Sequence, residues 1–448
     1  MGDAYLVPAP LALNALRGTA VHPLLRGLVR PARRSARAAV AEGLSLAQRL
    51  SGLDGEGREA ALLELVRTGV AAVLGAEPDS VLAQRPFNEL GLDSLTAVEL
   101  RNRLTAATGL RLPPTVTFDH PTPAELTTHI ARLLTDLPTV APSSPAPSSA
   151  PATASGAADP LSQLYRRLAA QGKFAEASAL IGVASHLRPR FATAERAVHA
   201  LPPIRLASGD AQAALVCFPA LSAISGPHEY ARFGHDFQGE RDVFVLPSPG
   251  WKEDDHLPQD LDAFLRLHTE AVLELVGPDR PIVVVGRSMG GCVAHAVTAR
   301  LERQGRPVAG LALIDAYPID SAVREGMGEW WLNAMLTGML DRIERYDMVW
   351  SDASLTAMGG YNNVFATWQP EPVDAPILSV RADTPLRGTV VDPTARHDWR
   401  AYWPLPHEAV DVTGDHFTLL EQHTPTTAHA VRQWIEKKEQ QWSAQSAR

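Results

Sequence analysis

The stretch Pro281-Ile-Val-Val-Val-Gly286-Arg287-Ser288-Met289-Gly290 decides how the larger part of this chain folds. Its short, unbroken apolar run predicts a strand buried on both faces. Helical spacing begins at Met289, so Gly286-Arg287-Ser288-Met289-Gly290 falls at a strand-to-helix turn. A G-x-S-x-G match arises by chance in many sequences, but at such a turn it has a mechanical meaning. The glycines let the chain reverse without a Cβ clash. The serine is then held exposed above the sheet, and the helix N-terminus behind it favours developing negative charge. The plainer alternative is a glycine-rich turn with a solvent-facing serine; the strand–turn–helix context favours a nucleophile at Ser288.

Outward from that turn the same rhythm repeats. Strand-like runs at Ala214–Phe218, Val243–Leu246, Ile282–Val285, Leu311–Ile314, Ile377–Val380 and Ala409–Val412 alternate with helical patterns at Leu261–Leu275, Met289–Gln304 and Thr426–Glu436. Short apolar strands between helices predict a mostly parallel sheet covered on both faces. Ser321–Trp350 interrupts the rhythm as a long helical insertion carrying Trp330, Trp331, Met335, Leu336 and Met339. Residues 160–190 predict two short amphipathic helices. Leu161, Leu164, Tyr165 and Leu168 share one stripe, Leu180, Ile181, Ala184 and Leu187 the next, and Gly172 breaks the pattern between them. Such a pair packs on its own domain or on a copy of itself across a two-fold axis.

Residues 56–134 form a separate, smaller unit. Leu62, Val66, Gly69 and Val73 recur at helical spacing, as do Leu126, Ile130 and Leu133, with a further helix from Ser94 to Leu104. That pattern predicts a bundle of three or four short helices. Asp136 to Asp159 is almost entirely Pro, Ala, Ser and Thr and reads as an extended linker. In polyproline II form, at about 3.1 Å per residue, it reaches roughly 70 Å. A linker of that length lets the small unit visit a distant site and raises the local concentration of whatever it carries. Residues 1–50 hold seven arginines against Asp3 and Glu42; a solvated tail or the end of another domain is the simplest reading.

Composition narrows the class. The 448 residues are 45% hydrophobic and 20% charged, enough for two or more buried cores. Lys and Arg total 41 against 50 Asp and Glu, a net −9, which is the wrong sign for a global nucleic-acid binder. Cys217 and Cys292 cannot make a disulfide framework, which favours a reducing compartment. The apolar runs fall far short of the ~20 residues needed to cross a bilayer. With no signal-peptide h-region at the N-terminus, a soluble, cytoplasmic, multidomain protein is expected.

A serine hydroxyl needs a base to take its proton. Among 15 histidines, His416 in Gly414-Asp415-His416-Phe417 follows the last predicted strand, where the chain order Ser…acid…His places the base. His397 and His407 precede that strand and fit less well. Two carboxylates compete to orient the imidazole: Asp315, ending Leu311-Ala-Leu-Ile-Asp315, and Asp383, in Arg381-Ala-Asp383-Thr384. An oxyanion hole needs two backbone N–H groups. Met289, directly after the nucleophile, supplies one, and Leu221, in Pro219-Ala220-Leu221-Ser222 after the first core strand, is the choice for the other. This chemistry calls for no metal.

The second signal is Leu90-Gly91-Leu92-Asp93-Ser94-Leu95, at the start of a helix of the small bundle. Ser94 there is an ordinary capping serine or the attachment point of a phosphodiester, which the helix N-terminus also favours. Ala97, Leu100 and Leu104 make one apolar stripe; Leu95 and Val98 make another that is either buried or a docking surface.

With Phe87-Asn88-Glu89-Leu90 before it and Phe118-Asp119-His120-Pro121-Thr122-Pro123 after it, the Ser94 motif resembles an acyl carrier protein of modular type I polyketide synthases. The resemblance implies 4′-phosphopantetheine on Ser94, attached by a phosphopantetheinyl transferase. Residues 160–440 resemble the chain-terminating thioesterase of the same synthases. The matching motifs are Ile224-Ser225-Gly226-Pro227-His228-Glu229-Tyr230, Leu313-Ile314-Asp315-Ala316-Tyr317-Pro318 and Gly414-Asp415-His416-Phe417. In that family the acid ends the strand after the nucleophile helix, which selects Asp315. Where the family usually has histidine before the nucleophile, this chain has Arg287. Residues 5–40 resemble the tail of a ketoreductase domain.

The resemblance implies a small four-helix-bundle carrier at 56–135 and an α/β-hydrolase domain at 160–440, joined by the linker at 136–159. It further implies a helical lid over 321–350 and a homodimer through the helices at 160–190. Upstream ketosynthase, acyltransferase and ketoreductase domains would supply the polyketidyl chain. Release would give a macrolactone or a free acid. A hydrolytic editing esterase and a non-catalytic carrier and dimerisation module are the alternatives.

Overall fold

The computed structural model describes residues 50, 54–74, 78–87, 90, 92, 94–110, 112, 116–135, 160–277, 279–318, 321–346, 351–389 and 399–446. The arginine-rich tail, the linker, His397, and Gly91 and Asp93 of the carrier motif lie outside these residues.

The larger unit is built on a seven-stranded sheet. Its strands are β2 (Ile204–Ala207), β3 (Ala214–Phe218), β4 (Val243–Val245), β6 (Ile282–Arg287), β7 (Gly310–Ile314), β8 (Ile377–Ala382) and β9 (Glu408–Val412), in the order β2-β4-β3-β6-β7-β8-β9. All neighbours are parallel except β2, which runs antiparallel to β4 at the edge. That edge strand was not legible in the sequence, where Pro202 and Pro203 precede it and Gly209 closes it. A two-residue parallel pair, β1 (Arg190–Phe191) with β5 (Leu257–Pro258), stands apart.

The alternation of side chains along each strand sorts the core into two halves. Val216, Phe218, Ile282, Val284, Leu311 and Leu313 pack against α8 (Leu261–Val276) and α9 (Met289–Arg303). Leu215, Cys217, Val283, Val285, Ala312 and Ile314 pack on the other face, against α7 (Ala231–Asp236) and α12 (Thr424–Ser446). Each fully buried valine contributes about 1.5–3 kcal/mol relative to exposure. Both cysteines are buried free thiols. The last helix runs beyond the expected Glu436, and Lys437 and Lys438 pair there with Glu408 of β9.

The strand order reverses between β3 and β6. In open α/β sheets that switch point, at the carboxyl ends of the strands, is where a ligand crevice opens. The insertion lies over it: α10 (Ser321–Tyr346) is followed by α11 (Asp352–Val364), while 347–350 fall outside the described residues. The 160–190 segment forms α5 (Pro160–Ala170) and α6 (Phe174–Ala184), separated at Gly172, whose φ of 70° is the left-handed conformation glycine tolerates. The Asp352 carboxylate caps α5, accepting from the Ser162 N–H at 2.9 Å. Tyr165, Ala177 and Ile181 are buried with Leu355 and Met358 of α11, whereas Val183 and Leu187 are exposed.

The smaller unit contains α1 (Gly55–Leu74), α2 (Ser94–Thr108), the one-turn α3 (Val116–Asp119) and α4 (Pro123–Thr135). Leu62, Val66, Ala97, Leu100, Leu104, Leu126 and Ile130 fill its core. The Leu95 and Val98 side chains lie outside the described residues, so the second stripe stays an expectation. The architecture is a four-helix bundle and an α/β-hydrolase fold with a helical insertion.

Candidate active site

Ser288 sits between β6 and α9 at φ 52° and ψ −127°. A non-glycine residue held there costs about 1–3 kcal/mol, and the surroundings must enforce it. They do so by close approach. A Cβ on Gly286 would stand 2.2 Å from the Gly290 carbonyl oxygen, and one on Gly290 would stand 2.3 Å from that of Phe218. The Ser288 N–H donates to the Ile314 carbonyl at 2.9 Å. The spacing of the motif is thus set by backbone packed on backbone.

His416 follows β9, and Asp315, at φ 44°, follows β7. The His416 Nδ1–H donates to Asp315 Oδ2 at 2.7 Å. A carboxylate only accepts, so the proton sits on Nδ1 and Nε2 keeps its lone pair. The other Asp315 oxygen accepts the Ala382 N–H at 3.0 Å, and the Tyr317 hydroxyl approaches Oδ2 at 3.4 Å. Burial pushes the His416 imidazole below its ordinary value, with Arg287 acting in the same direction and Asp315 opposing. The ring is neutral at pH 7, as a base must be. Asp383 is exposed and its carboxylate accepts the Gly414 N–H at 3.0 Å instead.

Ser288, His416, Leu221 and Met289 line one cavity of about 340 Å³. Among the described residues, the N–H groups of Leu221 and Met289 donate to no protein acceptor, whereas that of Ala220 is held by Glu229 Oε2 at 3.0 Å. Two free donors beside a serine suit an oxyanion. The roof comes from α10 and α11: Trp331, Met335, Met339 and Met358. The Trp330 side chain lies outside the described residues. Flexible thioether walls adapt to irregular apolar ligands.

Sequence reasoning missed how the insertion grips the histidine loop. Arg342 of α10 lies 3.9 Å above the Phe417 ring and pairs with Glu421 at 2.8 Å. It also assigned no role to Glu229, which pairs with Arg287. Neither pairing has a local sequence signal, because the partners are distant along the chain.

In the bundle, α2 opens at Ser94, and its first turn carries no acidic residue. The positive end of that helix suits a phosphodiester, so the position fits 4′-phosphopantetheine on the serine.

Residues 213–435 match the thioesterase domain family and residues 64–130 the phosphopantetheine attachment site family. The larger unit is accordingly a thioesterase domain of serine-hydrolase type, and the smaller one a carrier domain that takes 4′-phosphopantetheine covalently. The chain is 43% identical to polyketide synthase GfsE of Streptomyces halstedii, covering 96% of this chain and 12% of that protein. It is 40% identical to the spectinabilin polyketide synthase system protein NorC of Streptomyces orinoci, covering 88% and 17%. For erythronolide synthase EryA3 of Saccharopolyspora erythraea the identity is 35%, covering 84% and 11%. The chain thus spans less than a fifth of each relative, and it is a carrier–thioesterase didomain of the polyketide-synthase kind. The expected resemblance is borne out at that level. Among the described residues, no helix is long and apolar enough to cross a membrane.

Proposed function

We propose that this chain ends polyketide synthesis by moving the finished acyl chain from the carrier to Ser288 and then releasing it. The carrier comprises 56–135 with Ser94 as the attachment residue, and the thioesterase 160–440 with 321–350 as its lid. When bound, 4′-phosphopantetheine supplies a flexible thiol that presents the chain as a thioester. Ser288 Oγ attacks the thioester carbonyl as His416 Nε2 takes its proton. The N–H groups of Leu221 and Met289 hold the oxyanion, and Asp315 fixes the tautomer and stabilises the imidazolium. The C–S bond breaks, the proton passes to the departing sulfur, and an ester remains on Ser288.

In the second half, His416 takes a proton from a hydroxyl of the chain or from water. The new C–O bond forms, the bond to Ser288 breaks, and the proton returns to its oxygen. A macrolactone results from the hydroxyl, a free acid from water. The methionine- and tryptophan-lined roof favours ring closure by excluding water.

Upstream ketosynthase, acyltransferase and ketoreductase domains as donors, a phosphopantetheinyl transferase, a cytoplasmic location and a homodimer through 160–190 complete the reading. The observation that carries it is the 2.7 Å His416–Asp315 bond beside a strained serine in the same cavity wall. The test loads the carrier with an acyl-pantetheine from the coenzyme A thioester and a phosphopantetheinyl transferase, quenches during turnover and maps the acyl group by mass spectrometry. Acyl on Ser288 supports the proposal; acyl that never leaves Ser94 refutes it.

A further inference from the structure

Arg287 directly precedes the candidate nucleophile, yet its side chain is only 6% exposed and its partner Glu229 10%. Buried charge of this kind is costly unless it is paired and hydrogen-bonded; both Nη atoms of Arg287 are engaged, while its Nε is buried without an acceptor among the described residues. The pair's remaining contacts all end on loops that bear the site. Glu229 Oε2 accepts the Ala220 N–H at 3.0 Å, and Oε1 accepts the Ser225 hydroxyl at 3.0 Å, so the carboxylate fixes the loop after β3. Holding Ala220 in this way leaves the next N–H, that of Leu221, free for the cavity. On the other side, Arg287 Nη2 donates to the His416 carbonyl at 2.9 Å, and the guanidinium lies 5.8 Å from the Phe417 ring centre. Such a span needs the planar, multi-donor fork that arginine provides.

We infer that Arg287 and Glu229 are positioning residues: one buried ion pair that ties the serine turn, the oxyanion loop and the histidine loop into a single register. This rests on the reading of Ser288, Asp315 and His416 given above. The groups facing His416 are Asp315, Arg287, Asp415 and the Tyr317 ring, with Arg342 behind Asp415. Of these, Arg287 is the cation that discourages protonation of the imidazole.

The experiment uses the full chain, a hexanoyl N-acetylcysteamine thioester and four variants: R287M, R287K, E229Q and S288A. Removing the guanidinium should lower kcat by about 10²-fold, the usual scale of an ångström-sized misplacement, with KM little changed. It should also move the acid limb of kcat/KM upward by about one pH unit, since His416 loses a neighbouring cation. E229Q leaves Arg287 uncompensated and should move that limb downward. R287K keeps the charge and should leave the limb in place while kcat still falls. Opposite shifts from the two halves of one pair are not what general damage to the fold produces. Unmoved limbs in R287M and E229Q, or a kcat in R287M within about threefold of the parent, overturn the inference. Should R287M not fold, E229Q and R287K decide the matter by the same limbs. Failure of the underlying site reading looks different: S288A would retain turnover, and a fluorophosphonate would leave Ser288 unlabelled in the parent chain.

Discussion

Gly338 of α10 packs so tightly on Phe417 that a Cβ at position 338 would stand 2.3 Å from the ring. Phe417 is the residue after His416, so the helical insertion touches the histidine loop without any side chain of its own at that point. Gly338→Ala should therefore push the roof and the loop apart. We expect kcat on a simple thioester to fall by about tenfold or more, with the melting temperature lowered by a few degrees, as overpacking by one methyl costs about 1–3 kcal/mol. Unchanged kcat in a folded Gly338→Ala protein would show that the insertion and the histidine move independently.

The two candidate acids are separable by substitution. Asp315→Asn removes the negative charge and puts an NH2 donor in place of one carboxylate oxygen, so the His416 tautomer is no longer fixed and kcat should fall by about 10⁴-fold. Asp383→Asn alters a half-buried bond to the Gly414 N–H and should stay within about tenfold. Steady-state rates on one thioester substrate suffice, and a larger loss at Asp383 would reverse the assignment.

With His416 as the proposed base, its depressed titration should set the pH dependence of turnover. Catalysis needs the neutral ring, so kcat/KM should rise with pH through a midpoint below the ordinary 6.5 and be flat by neutrality. A midpoint above 6.5 would contradict the burial that depresses it.

Stability should carry its own pH signature. His268 is buried between Phe218 and Phe264, and burial lowers its titration to about 3. An unfolded histidine protonates near pH 6.5, so below that pH the unfolded state binds the extra proton and stability rises with pH. The contribution is present above about pH 6.5 and drains away as pH falls toward 3, at up to about 1.4 kcal/mol per unit. His268→Phe should flatten the acid side of a denaturation series by that slope; a slope identical to that of the parent chain would mean His268 titrates alike in the folded and unfolded states.

Trp331 contacts Tyr317, with ring centres 5.6 Å apart, and lines the cavity beside the serine. Replacing it with alanine opens the roof to water and should raise the share of hydrolysed over cyclised product from a hydroxylated acyl thioester. Chromatography of the two products gives the ratio, and a constant ratio would remove Trp331 from water exclusion.

Most strands were legible because their apolar runs are local and their periods distinct. Val283, Val284 and Val285 could sit only in a strand covered on both faces, and the glycine spacing around Ser288 already implied a sharp turn. The edge strand Ile204–Ala207 escaped because the prolines before it and its short, partly buried run weaken that signal. The helix Asp352–Val364 escaped because its two glycines and small residues blur an apolar stripe that is nevertheless buried.

The sequence by itself determined the chemistry available: a serine on a strand-to-helix turn, a histidine after the last strand, and a second serine opening a helix of a separate bundle. Those are statements about residue type and short spacing, which local backbone preferences govern. The family resemblance already pointed to Asp315, but only the tertiary structure decided that its carboxylate meets His416, which loop N–H remains free, and that Arg287 finds Glu229. The Asp315–His416 bond joins residues 101 apart in the chain, and the Arg287–Glu229 pair joins residues 58 apart. A hydrogen bond is made or lost within a few tenths of an ångström, and distances of that kind between remote positions exist only once the sheet has brought its strand ends together.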